Sequence, residues 1–105
     1  MAITDADYFD WPVLPEAPSS LGLTVASTSA KLRWEVHGGN PTNIVVERKD
    51  ESSDGGGKAT WTRIATLPNT ATEYSDSSVK KGARLAYRVR AVNSDGESAY
   101  SNIAR

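Results

Sequence analysis

Cysteine is absent from this chain of 105 residues, which removes disulfides, thiolate catalysis and sulfur-ligated metal together. Histidine occurs once, at His37 in a VHGGNP turn. Nothing beside it in sequence completes a base–nucleophile pair, so it reads as a solvated turn residue. Long apolar runs are missing: none approaches the ~20 residues of a membrane span. The opening MAITDADYFDWP has neither the basic nor the apolar region of a signal peptide. An excess of charge is missing as well. Twelve Lys and Arg stand against 13 Asp and Glu, a formal net charge of −1, so nothing draws the chain to nucleic acid or to a membrane surface. The turn carboxylates Asp54, Asp76 and Asp95 stand apart, and no Asp-x-Asp-x-Asp-Gly loop occurs. A glycosidase needs two carboxylates held ~5–9 Å apart in a cleft. The sequence therefore assigns no catalytic residue, no metal and no cofactor.

What is present is rhythm. The length suits one domain. Residues 1–16 mix Asp5, Asp7, Asp10 and Glu16 with Tyr8, Phe9, Trp11, Val13 and Leu14, and Pro12 and Pro15 oppose regular pairing. This stretch reads as a linker or the tail of a preceding domain, with the folded unit at 17–105. The abrupt end at Arg105 makes a piece of a larger protein the expectation. Within the unit, short alternating runs are split by turn residues, the pattern of an antiparallel sandwich without long helices. LGLTV puts Leu21, Leu23 and Val25 on one face. KLRWEV puts Leu32, Trp34 and Val36 inside and Lys31, Arg33 and Glu35 outside. NIVVERK sets Ile44 and Val46 inward against Val45, Glu47 and Lys49. TWTRIATL has mixed parity, as a bulged strand would, and EYSDSSV is a marginal strand. ARLAYRVRAV places Leu85, Tyr87, Val89 and Ala91 inside, with Arg84, Arg88 and Arg90 outside, and ESAYSNIA closes the sheet. About seven strands result.

These runs resemble a known family. PEAPSSLGLTVASTSAKLRWEV is similar to the first two strands of a fibronectin type III domain, IVVERK to its third, and TEYSDSSVKKGARLAYRVRAVNSDGESAYSN to the run from its fifth strand to its last, in the form common in secreted bacterial proteins. The likeness covers about residues 15–104. It implies an all-β, immunoglobulin-like, seven-stranded antiparallel sandwich with a core of Leu32, Trp34, Ile44, Val46, Tyr74, Leu85, Tyr87 and Val89. It also implies the tyrosine corner of that fold. Counting six residues on from Val79 reaches Leu85, not tyrosine. The chain has then either lost the corner hydrogen bond or makes a variant of it from Tyr87, two residues on; loss is the expectation, with Leu85 filling the space and Tyr74 anchoring the other end of the connection.

The outward residues frame two functions. The first is a non-catalytic spacer between domains of an extracellular or cell-surface bacterial protein, of the kind that the resemblance often places in polysaccharide-degrading enzymes. The isolated domain would be monomeric, with neighbouring domains of its own polypeptide as partners. The second is an interaction module for a glycan or protein. Its candidate surface comprises Trp61, Lys49, Arg88 and Arg90, with the loop at 52–58 or the amino-terminal aromatics as further candidates. A stripe of Lys80, Lys81, Arg84, Arg88 and Arg90 would suit an acidic polysaccharide. Against both stands simple pairing of Glu47 with an arginine on the neighbouring strand.

Overall fold

The computed structural model describes residues 13–51, 60–80 and 82–105. Seven strands follow in order: β1 (Ser19–Val25), β2 (Ala30–Glu35), β3 (Asn43–Asp50), β4 (Thr62–Pro68), β5 (Glu73–Asp76), β6 (Leu85–Asn93) and β7 (Gly96–Glu97). They form a three-stranded sheet, β1-β2-β5, and a four-stranded sheet, β4-β3-β6-β7. Every pairing is antiparallel. The fold is an all-β immunoglobulin-like sandwich, with side chains from the two inner faces sharing one core.

β2 follows the period-two code most plainly, alternating buried and exposed from Ala30 to Glu35. Leu32, Trp34, Ile44, Val46, Tyr87 and Val89 are buried, and Tyr74 and Leu85 pack half-buried against them. The indole of Trp34 also donates from Nε1 to the Ala71 carbonyl at 3.0 Å. A buried ring nitrogen is thereby satisfied.

Exposure departs from what facing alone suggests in two places. Val25 shares the inward parity of Leu23 but is 62% exposed. It is the last residue of β1, paired with Ala30 just before a tight turn, and it lines an open pocket at that end of the sandwich. Val45 and Glu47 do lie on the outer face of β3, yet both are buried. β3 is flanked on both sides by other strands, and long side chains from those neighbours fold over it.

The last segment closes the sheet by backbone and hydroxyl together: Ser98 and Ser101 donate their N–H to the Ala91 and Val89 carbonyls, both at 2.8 Å, and Ala104 pairs with Tyr87. β7 is two residues long, after which the edge of β6 is satisfied by serines. Ser98 and Ser101 accept through Oγ from the backbone N–H of Ala91 (2.9 Å) and Val89 (3.1 Å). Each hydroxyl then donates to the next carbonyl, that of Ala99 or Asn102. The side chain of Asn102 reaches across to β1, donating to the Leu21 carbonyl (3.0 Å) and accepting from its N–H (2.8 Å). It imitates a strand partner, blunting an edge that would otherwise offer unpaired groups.

The tyrosine corner has been rebuilt rather than simply lost. Leu85 packs at the site the sequence assigned to it. Tyr87 takes over the polar duty: its buried hydroxyl donates to Asp76 Oδ2 at 2.8 Å, a side-chain acceptor in place of backbone. Arg48 donates to the same oxygen at 2.6 Å, and Ser78 donates to Asp76 Oδ1 from both N–H and hydroxyl. Asp76 belongs to one sheet, Arg48 and Tyr87 to the other. The cluster ties the two layers together.

Residues 13–16, which the sequence places in the linker, lie against the loops at the entry pole. Asn93 Nδ2 donates to the Val13 carbonyl (2.8 Å) and Asp95 Oδ2 accepts from the Val13 N–H (3.0 Å). Glu16 donates from its N–H to the Gly38 carbonyl at 3.0 Å. Gly39, at φ +92°, leaves the room: a Cβ there would stand 2.5 Å from the Cα of Pro15. Gly39→Ala is therefore expected to cost more than about 1 kcal/mol, from the left-handed backbone and the collision together. It should also expose the Glu16 amide to fast hydrogen exchange. Unchanged protection of that amide would show that the segment does not depend on this contact.

Candidate functional site

The candidate ligand residues come from three segments, and a bulge brings the third into place. In β3, Glu47 and Lys49 point outward; in β6, Arg88 and Arg90 do so, with Glu47 paired to Arg88 in register and Val45 to Arg90. β4 pairs Ala65 with Val46 but Arg63 with Glu47, so Ile64 is an extra residue. That bulge reverses the parity of β4. Ile64, Ala65 and Leu67 pack toward the core, while Trp61 lands on the outer face beside Lys49 and Arg88.

Trp61, Lys49, Arg88 and Arg90 thus stand together, as a stack. Lys49 Nζ lies 5.0 Å from the centre of the indole. The Arg88 guanidinium is 4.2 Å from the same ring and 3.6 Å from that of Tyr100. Arg90 lies 4.5 Å from Tyr100 on its other flank. The order is Lys49, Trp61, Arg88, Tyr100, Arg90. Such contacts are worth ~0.5–1 kcal/mol each when exposed and ~2 when desolvated. Trp61 thereby covers the sheet against Arg88 and Lys49.

Beneath the stack lies Glu47, only 8% exposed. Its Oε1 accepts from Arg88 Nε at 2.8 Å, with the Arg88 terminal nitrogen also at 2.8 Å. Its Oε2 accepts from the Tyr100 hydroxyl at 2.9 Å and stands 3.9 Å from Arg90. Burial, and then the bond to Glu47, raise the Tyr100 phenol above its ordinary pKa. Arg90 also pairs with Glu97 at 3.1 Å, and Lys49 with Glu51 at 3.6 Å. Lys49, Arg88 and Arg90 each meet a carboxylate of the chain, Glu51, Glu47 or Glu97, and Glu51 is shared with Arg105. Among the described residues, Arg90 Nε alone is a buried side-chain nitrogen without a hydrogen-bond partner.

Tyr100 is the residue that sequence reading missed. Its place in ESAYSNIA gave no parity cue, because the serines carry that segment along β6 without regular strand pairing. The described residues of the basic stripe divide between a loop and the sheet face. Lys80 and Arg84 lie in the loop between β5 and β6, whereas Arg88 and Arg90 turn onto Glu47 on the sheet face. Lys81, the loop at 52–58 and the aromatics Tyr8, Phe9 and Trp11 lie outside the described residues. His37 is exposed and within 2.7 Å of the Ser19 hydroxyl, with no carboxylate beside it among the described residues. No three metal-ligating side chains gather among the described residues.

Comparison with known proteins places this architecture. No protein-family model matches the chain. Among solved structures, a run of titin domains superposes with a TM-score of 0.72 at 23% identity, covering 88% of this chain and 31% of that one. A pectate lyase from Pectobacterium carotovorum gives 0.69 at 22% identity, with 85% and 26% covered. The chain therefore spans about a third or less of those larger proteins. An Fn3-like protein from Clostridium thermocellum gives a TM-score of 0.65 at 30% identity, and here the match covers 86% of this chain and 88% of the other. With that identity over nearly the whole of both chains, and with the sandwich topology described above, the chain belongs to the fibronectin type III family.

Proposed function

We propose that the chain is a non-catalytic spacer that sets the distance and orientation of neighbouring domains in a larger extracellular bacterial protein. The observation that carries this reading is the state of the candidate surface. The indole and phenol rings stack on the chain's own cations, and those cations are matched by the chain's own carboxylates. A sugar stacking on Trp61 would have to displace Arg88 or Lys49, and a polyanion would have to compete with Glu47 for arginines that are about four-fifths buried. A surface that satisfies itself has little left to offer a ligand. The family setting supports the same reading, since the fold recurs inside multidomain chains, among them a pectate lyase. A parent that degrades polysaccharide fits that setting.

The test is a titration of 15N-labelled protein with soluble glycans and with heparin. No contiguous set of shifted resonances is expected. A patch of shifts centred on Trp61, Arg88 and Tyr100 would instead establish a ligand-binding module and end the spacer reading.

A further inference from the structure

The two ends of the sandwich differ in charge and in shape. At the end where the chain enters, residues 13–18, 36–42, 68–72 and 94–95 hold no Lys or Arg and two carboxylates, Glu16 and Asp95. At the opposite end, the described residues 25–30, 50–51, 77–80, 82–84 and 104–105 carry Lys80, Arg84 and Arg105 against Asp50 and Glu51. Arg105 is taken up by Glu51, held through two hydrogen bonds of 3.1 Å. Lys80 and Arg84 are exposed and have no ion-pair partner among the described residues.

Shape follows charge. The entry end projects two apolar side chains, Val13 at 56% and Leu14 at 50% exposure. They are not loose, because Asn93 and Asp95 grip both backbone groups of Val13, and Leu14 lies over Gly96. The exit end has a largely apolar pocket of about 420 Å³ between the sheets, lined by Val25, Val79, Leu85 and Tyr87 together with Arg84 and the paired Glu51 and Arg105.

We propose that this pocket receives Val13 and Leu14 of a second copy of the chain, head to tail, with Glu16 and Asp95 of one copy facing Arg84 and Lys80 of the other. The inference rests on the reading of the chain as a module set among others. The preformed grip on Val13 lowers the ordering cost of docking. Donor and acceptor surfaces lie at different ends, so the contact is heterologous and builds open rows rather than a closed dimer. Each end is small, so free copies associate weakly and are monomeric when dilute. Within one polypeptide, the raised effective concentration would saturate the same contact.

Sedimentation and 15N shifts of the whole chain at rising concentration test this. The wild type is expected to grow in average mass with concentration, more so at low salt, with shifts confined to the two ends. Leu14→Asp and Arg84→Glu, both at exposed positions, should each weaken association at least about tenfold. Mixed in equal amounts they should recover it but stop at pairs, since one copy keeps an intact pocket and the other an intact Leu14. A wild type that stays monomeric at every concentration and salt, or a mixture that fails to recover, would overturn the proposal. Neither result touches the spacer reading, which falls only to ligand-induced shifts on the Trp61 face.

Discussion

Asp76→Ala is expected to lower the unfolding free energy by about 3–5 kcal/mol, the usual cost of removing one partner from a buried ion pair. Asp76 is 3% exposed and serves Arg48, the Tyr87 hydroxyl and both donors of Ser78. Its loss strands a half-buried guanidinium and a fully buried phenol between the sheets. Small domains have about 5–15 kcal/mol in hand, so the variant should sit near its unfolding threshold at room temperature. Acid should act on the same group in the wild type. Burial is the largest single influence on the Asp76 carboxyl and pushes its pKa up, but the bonds from Ser78, Tyr87 and Arg48 together outweigh it, and the folded value lies below the ordinary one. A lowered folded pKa means stability that is complete above the unfolded value of about 3.9 and lost as pH falls through the folded value. The difference between wild type and Asp76→Asn in urea unfolding should therefore be largest at neutral pH and shrink below about pH 4. A pH-independent difference, or a neutral-pH loss below 1 kcal/mol for Asp76→Ala, would show the cluster to be incidental.

Trp34→Ala should cost a similar amount, about 3–5 kcal/mol, for a different reason. The indole is 3% exposed near the end of β2 and is the largest side chain between the sheets. Truncation leaves a cavity that two hydrogen-bonded sheets cannot close, and it also strips the Ala71 carbonyl of its donor. Trp34→Phe keeps most of the ring and loses the bond, so it should cost clearly less. Equal losses for Ala and Phe would assign the effect to the hydrogen bond; a loss under 1 kcal/mol for Ala would contradict the burial of the strand.

The period-two pattern made most of the architecture legible. Leu32 and Trp34, Ile44 and Val46, and Tyr87 and Val89 alternate with polar residues, and a chain that must bury one face of each strand has few other ways to fold. The mixed parity of TWTRIATL announced the bulge of β4. The same code did not give the exposure of Val25 or the burial of Glu47. Parity tells which side a residue faces, but how open that end of the sandwich is, or how long the neighbouring side chains are, lies outside it. Of the ligand surface, Trp61, Lys49, Arg88 and Arg90 were visible as outward residues. Tyr100 was not, because the serines rather than a regular strand ladder carry it into place.

By itself the sequence determined which residues are apolar at alternating positions, hence the two-layered β fold, and its lack of cysteine leaves this chain no thiol chemistry. Only the tertiary structure decided what the outward charges do. Glu47 lies dozens of positions from Arg88 and Tyr100, and its bonds to them exist only once β3, β6 and the closing segment lie side by side. Backbone periodicity is a local property written along the chain, whereas the pairing of charges depends on distances that folding alone creates.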